Sequence, residues 1–211
     1  MPDTAHALRA RLSDHIATHD RAGATSAALD AVRSGAIGLP ELYGLLAEYL
    51  VEVGARWHAG EVEVWEEHYA TATVRTIVEA CQPLVVERAG EPIGRTVVLA
   101  TPPDEYHDLG LRMLADRFTL AGWTAHLLGG NVPVEQLVAA VAELNADAAV
   151  ISVYTHFHRF ALRQYVDALQ SAHPGLRVWV GGAAFAVEHD GWPDEMMLEP
   201  DDVPTLATQV G

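Results

Sequence analysis

Apolar positions in the first part of the chain recur at helical spacing. In His6–His19, Leu8, Leu12 and Ile16 fall one turn apart. Ala24–Ala36 is alanine-rich and ends near Gly35. A third run, 39–57, carries Pro40 where a helix begins, and a fourth runs from about Glu61 to Glu87. Four helical patterns joined by short turns predict a small bundle. The stretch 88–94 (RAGEPIG) holds Gly, Pro and charge and reads as a linker.

Beyond the linker the period changes. Short β-branched apolar runs at Arg95–Thr101, Thr124–Leu128, Ala148–Val153 and Leu176–Val180 predict buried strands. Helical patterns lie between them, from about Tyr106 to Ala121, Pro133 to Asn145 and Phe157 to Ala172. The tail predicts a short fifth strand at Glu195–Glu199 and a last helix near Asp202–Val210. Strands alternating with helices form right-handed βαβ units and a parallel sheet. The predicted fold is therefore α plus α/β. Residues 1–90 form a four-helix bundle, and residues 91–211 a doubly wound parallel-sheet domain of the Rossmann or flavodoxin kind. In such open sheets ligands bind outside the carboxyl ends of the strands. The loops after Thr101, Ser152 and Val180 are the places to search.

Composition narrows the classes. Among 211 residues the formal net charge is −16, which repels phosphate backbones, and no basic stripe or zinc-finger spacing offsets it. Direct nucleic-acid binding is not expected. No apolar run is long enough for a membrane span, and the N-terminus lacks an apolar signal core, so a cytoplasmic location is expected. The single cysteine, Cys81, sits in a helical pattern and reads as a buried thiol.

The first loop reads Glu105-Tyr106-His107-Asp108-Leu109-Gly110. A histidine there stands over the sheet edge, able to bind a metal. A neighbouring carboxylate would take its second ring nitrogen and fix the tautomer. Gly110 allows close backbone approach. Ser152 offers a small hydroxyl at a strand end. Gly181-Gly182 serves either a ligand lying against bare backbone or an ordinary tight turn.

Taken together, Glu105-x-His107-x-x-Gly110, then Ser152, then Gly181-Gly182 resemble the signature of the cobalamin-binding domain of methionine synthase, mutases and corrinoid proteins. The resemblance covers about residues 95–211. It implies that His107 replaces the displaced dimethylbenzimidazole tail as the lower cobalt ligand, with Asp108 or Glu105 near it. Ser152, Gly181 and Gly182 would line the tail pocket. Tyr154 stands where that family often has Leu or Thr, and would change how the tail is gripped.

In the helical half, Trp57-His58 is followed by Glu67-His68, with nine residues between Trp57 and Glu67. This resembles the Trp-x9-Glu-His motif of CarH-type light-sensing regulators that use adenosylcobalamin. The resemblance implies that Trp57 lies against the adenosyl group and that Glu67 and His68 complete its pocket. His58 would take the upper cobalt position after light removes that group. The bland alternative is ordinary helix packing, with Trp57 and Trp65 as core aromatics. A related resemblance, to photocobilins, implies biliverdin as a second chromophore. Tyr154-Thr155-His156-Phe157-His158-Arg159 would contact its rings and propionates. Cys81 has no bilin-attachment context, so such a bilin would be held non-covalently.

CarH-type proteins carry a DNA-binding domain that is not expected in this chain. The expected output is a signalling module rather than an enzyme. Light would change its oligomeric state, as a homo-oligomer or dimer, or its contact with an effector protein. The competing expectations are a corrinoid carrier for methyl transfer and a cobalamin-sensing anti-repressor.

Overall fold

The computed structural model describes residues 2–155, 158–185 and 191–208. It divides into two compact units, Met1–Glu87 and Arg88–Gly211.

The first unit is four helices: α1 (Pro2–Ala17), α2 (Arg21–Arg33), α3 (Leu39–His58) and α4 (Val64–Glu87). Helix α2 starts earlier than its alanine run implies, because Asp20 caps it, accepting from the Gly23 N–H at 2.8 Å. That N–H, with His15 beside it, holds the Asp20 carboxyl below the usual carboxylate range. Ala24, Ala27, Ala28 and Val32 form the buried face of α2. Their small size lets α2 lie close against α1 and α4. Leu42, Tyr43 and Leu46 of α3 and Val74, Ile77, Val78 and Cys81 of α4 complete the core. Each large aliphatic side chain buried there contributes about 1.5–3 kcal/mol relative to exposure.

The second unit runs β1 (Thr96–Ala100), α5 (Leu109–Leu120), β2 (Thr124–Gly129), α6 (Val134–Glu143), β3 (Ala148–Ser152), α7 (His158–Ala172) and β4 (Arg177–Gly181). The strands are parallel in the order β2-β1-β3-β4. Strand periodicity splits β1, β3 and β4 between two cores. Val98, Ala100, Ala149, Ile151, Val178 and Val180 face α6 and α7. Val97, Leu99, Val150 and Trp179 face α5 and the C-terminal segment. Both faces of these three strands are covered, which is why they read as largely apolar runs. The winding of the strand order reverses between β1 and β3, so the switch-point crevice opens beside their carboxyl ends.

Two tail expectations are corrected. Glu195–Glu199 is not a strand: Asp194–Met196 is a 3-10 turn, and only an isolated bridge joins Met197 to Val180. Pro193 and Pro200 bracket the segment, and a proline cannot donate to a ladder. The last helix is 3-10 over Pro200–Thr208, with Pro204 inside it. No helix among the described residues is long and apolar enough to cross a membrane.

Candidate functional site

The β1 loop is organised by Glu105, which is only 1% exposed. One carboxylate oxygen, Oε1, accepts from the His107 backbone N–H at 3.0 Å and from His107 Nδ1 at 2.6 Å. The other, Oε2, accepts from the backbone N–H groups of Tyr154 at 2.9 Å and Thr155 at 3.4 Å. One buried carboxylate thus ties the β1 loop to the β3 loop across the switch point. A carboxylate only accepts, so Nδ1 carries the proton and Nε2 keeps its lone pair. The tautomer is the one a metal needs. The His107 side chain is 58% exposed.

Of the two carboxylates the sequence left open, Glu105 makes this bond. Asp108 sits at the N-cap of α5, and its Oδ2 approaches Gly129. Helix α5 begins at Leu109 rather than Tyr106, because a turn from Asp108 N–H to Tyr106 O occupies the first residues.

Two residues the sequence reading missed brace this loop. Thr101, fully buried, donates its hydroxyl to the Glu105 carbonyl. Asn131, at φ 57°, donates its N–H to that carbonyl at 2.9 Å and accepts the Asp104 N–H at 3.0 Å. The available signal was Gly129-Gly130-Asn131, residues that tolerate positive φ, at the end of β2. The pairing of β1 with β2 shifts register at Ala100 and Gly129, and Gly129 O then accepts from Thr101 N–H at 3.0 Å.

Ser152 and Gly181 pair directly across β3 and β4. The double glycine is demanded by the protein itself. A Cβ on Gly181 would lie 2.9 Å from the Leu198 carbonyl oxygen, and one on Gly182 only 2.4 Å from that of Val153. Gly110 differs. It lies in α5, and a Cβ there would meet nothing within 4 Å. Gly110→Ala is therefore expected to stabilise the ligand-free protein by about 0.5–1 kcal/mol through helix propensity. If cobalamin approaches this backbone, the same methyl weakens its binding. Urea titration and a cobalamin binding isotherm on the same variant measure both.

In the helical unit, Trp57 and His58 lie on the last turn of α3, and Glu67 and His68 near the start of α4. The short turn 59–63 places them at the same end of that hairpin. Trp57 is 41% exposed and edge-on to His58, with ring centroids 4.6 Å apart. His58 Nδ1 donates to Gly54 O at 2.8 Å. Glu67 Oε2 is bonded to His68 Nδ1, and its Oε1 accepts from the Thr71 hydroxyl at 2.8 Å. Trp57 and Trp65 are both exposed, so core packing does not account for them.

Of the 154–159 stretch, His156 and Phe157 lie outside the described residues. Tyr154 is half-exposed. Arg159 is engaged within the fold, donating to Ala184 O at 2.8 Å with its guanidinium over the Phe185 ring.

A helical bundle followed by a parallel sheet, with a carboxylate-fixed histidine at the switch point, defines the architecture of a corrinoid-binding protein. Residues 8–82 and 95–198 each match a family model described as a B12 binding domain. Together the two models take in most of the chain, and the chain belongs to the cobalamin-binding family they describe. It is 36% identical over 159 residues to the HTH-type transcriptional repressor CarH of Myxococcus xanthus, covering 74% of this chain and 51% of that protein. It thus spans about half the length of that relative. It is 24% identical over 153 residues to dimethylamine corrinoid protein 1 of Methanosarcina acetivorans, covering 72% and 70% of the two chains. The structure of the monomethylamine corrinoid protein of Methanosarcina barkeri shares the fold, with a TM-score of 0.79 at 18% identity over 95% of this chain and 96% of that one.

The residues present fit cobalamin. Among the described residues no group of three or more His, Cys, Asp or Glu side chains is placed to hold a bare metal ion. His107, with its Nδ1 held by Glu105, would leave Nε2 to bind the cobalt of a cobalamin.

Proposed function

We propose that this chain is a light-responsive signalling module that binds adenosylcobalamin, and that it is not an enzyme. The observation that carries the reading is the exposed Trp57-His58 pair and the Glu67–His68 pair at one end of the α3–α4 hairpin. These side chains stand outside the bundle core, available to a ligand. Similarity to the HTH-type transcriptional repressor CarH supports the signalling part of this reading.

Adenosylcobalamin supplies a weak cobalt–carbon bond that visible light breaks. On this reading His107, oriented by Glu105, would bind the cobalt, and Ser152, Gly181 and Gly182 would border the cofactor's displaced tail. Trp57 would stack on the adenosyl group, and Glu67, bonded to His68, would accept from ribose hydroxyls. His58 would be available to bind cobalt once the adenosyl group has left, which would hold the light-adapted form. The change is passed on through oligomeric state or an effector protein. The expected site of action is the cytoplasm.

Green light on the dark adenosylcobalamin complex is expected to change both its absorption spectrum and its elution on gel filtration; if neither changes, the reading fails. His58→Ala should leave dark binding within about twofold of the parent and shorten the lifetime of the light-adapted form. An unchanged lifetime removes His58 from the mechanism. A photocobilin role is a further part of the proposal, supported by Tyr154 beside the same sheet edge. A biliverdin titration followed by absorption tests it.

A second reading, a corrinoid carrier for methyl transfer, is supported by similarity to dimethylamine corrinoid protein 1 and by the shared fold. Preferential retention of methylcobalamin, with no response to light, would favour it.

A further inference from the structure

We propose that Tyr154 is a positioning residue for the axial histidine. Its phenol ring lies face to face with the His107 imidazole, with centroids 4.2 Å apart and planes 19° from parallel. The inference rests on the assignment of His107 to cobalt.

Core packing does not press the two rings together, because Tyr154 is 50% exposed and the His107 side chain 58%. The contact is built from the backbone. Glu105 Oε1 holds the His107 N–H and Nδ1, and Glu105 Oε2 holds the Tyr154 N–H. Each ring-bearing loop is fixed by one oxygen of the same buried carboxylate, so the rings start from a common anchor and meet above it.

The Nδ1–carboxylate bond alone fixes one point of the imidazole. The ring remains able to swing about that bond, carrying Nε2 through an arc. A flat aromatic surface against one face removes this freedom, because tilting the imidazole costs the stacking contact. Two constraints, a carboxylate at Nδ1 and a phenol on the face, then define the direction of the Nε2 lone pair. Ligation is directional, so a ligand held in this way loses less rotational freedom on binding. The contribution belongs to the ring rather than to the hydroxyl.

The test compares the parent chain with Tyr154→Ala, Tyr154→Phe and His107→Ala, each titrated with hydroxocobalamin and then reduced to the cobalt(II) form. Electron paramagnetic resonance on protein labelled with nitrogen-15 histidine reports whether an imidazole of the protein, rather than the cofactor's own base, sits on cobalt. An aromatic pair of ordinary strength corresponds to about three- to tenfold in affinity. Tyr154→Ala should weaken binding by that factor and broaden or reduce the histidine signal. Tyr154→Phe should restore both. Parent affinity and signal in Tyr154→Ala overturn the proposal. So does failure of Tyr154→Phe to rescue, which would assign the effect to the hydroxyl. If the histidine signal persists in His107→Ala, the ligand assignment itself falls, an outcome distinct from the other two.

Discussion

Glu105→Ala is expected to lower the stability of the sheet domain by about 3 kcal/mol and to weaken cobalamin binding by about 10–100-fold. The stability loss follows from the donors it strands. The backbone N–H groups of His107, Tyr154 and Thr155 all point at this carboxylate, which is almost wholly buried. Each stranded donor costs about 1–3 kcal/mol if it stays dry. Water reaches part of the space beside the exposed His107 and Tyr154 rings, which holds the total near the lower end. The binding loss follows from His107 Nδ1, whose only fixed acceptor disappears and whose tautomer is no longer selected. Glu105→Gln separates the two effects. It keeps the shape and one acceptor oxygen but points an amide N–H₂ at N–H donors on one side. A smaller stability loss with most of the binding loss retained is expected. Urea denaturation and equilibrium titration with cobalamin provide both numbers. Parent values for Glu105→Ala in both would show that the carboxylate organises nothing.

Gly182→Ala is expected to cost about 3–5 kcal/mol. Gly182 has φ +104°, a region that side-chain-bearing residues rarely occupy, at a cost of about 1–3 kcal/mol. The added methyl would also lie 2.4 Å from Val153 O, 2.8 Å from the Ser152 hydroxyl and 3.0 Å from Val153 N. Two of the three, Val153 O and N, are backbone atoms that no side-chain rotation can move aside. Relief requires the β3 and β4 ends to separate, which threatens the Val153 N–H to Gly181 O bond at 3.0 Å and the Ala184 N–H to Val153 O bond at 3.2 Å. Gly110→Ala is the natural comparison, since the same change there meets open space. A melting temperature for Gly182→Ala close to that of the parent would refute the packing account of the double glycine.

The double glycine therefore has an origin in packing. A ligand against bare backbone and a tight turn were both open from the sequence. The structure shows a third reason. Leu198 and Val153 carbonyls already occupy the places where side chains would begin. The glycines let the strand ends close on each other, and Ser152 is brought to the crevice as a result.

Much of the architecture was legible along the chain. Val97–Ala100, Ala148–Ile151 and Val178–Val180 announced themselves as strands because both faces of the sheet are covered, so every position in them is apolar. The four helices of the bundle followed from apolar spacing, with ends displaced by a few residues where caps such as Asp20 intervene. The tail misled because the apolar residues of 195–199 sit between prolines, and one bridge to Val180 satisfies them without a strand.

By itself, then, the sequence determined the order of elements, the loops that end at the sheet edge, and the histidine standing in the first of them. These depend on periodicity and on turn residues, which act over a few neighbours. Only the tertiary structure decided that Glu105, and not the adjacent Asp108, holds that histidine, and that Tyr154 covers its face. The Tyr154 N–H comes to Glu105 from 49 positions along the chain. The two meet because a crossover through β2 and α6 sets β3 beside β1. A buried carboxylate takes its partners from what the fold brings within reach, and proximity along the chain has no bearing on that choice.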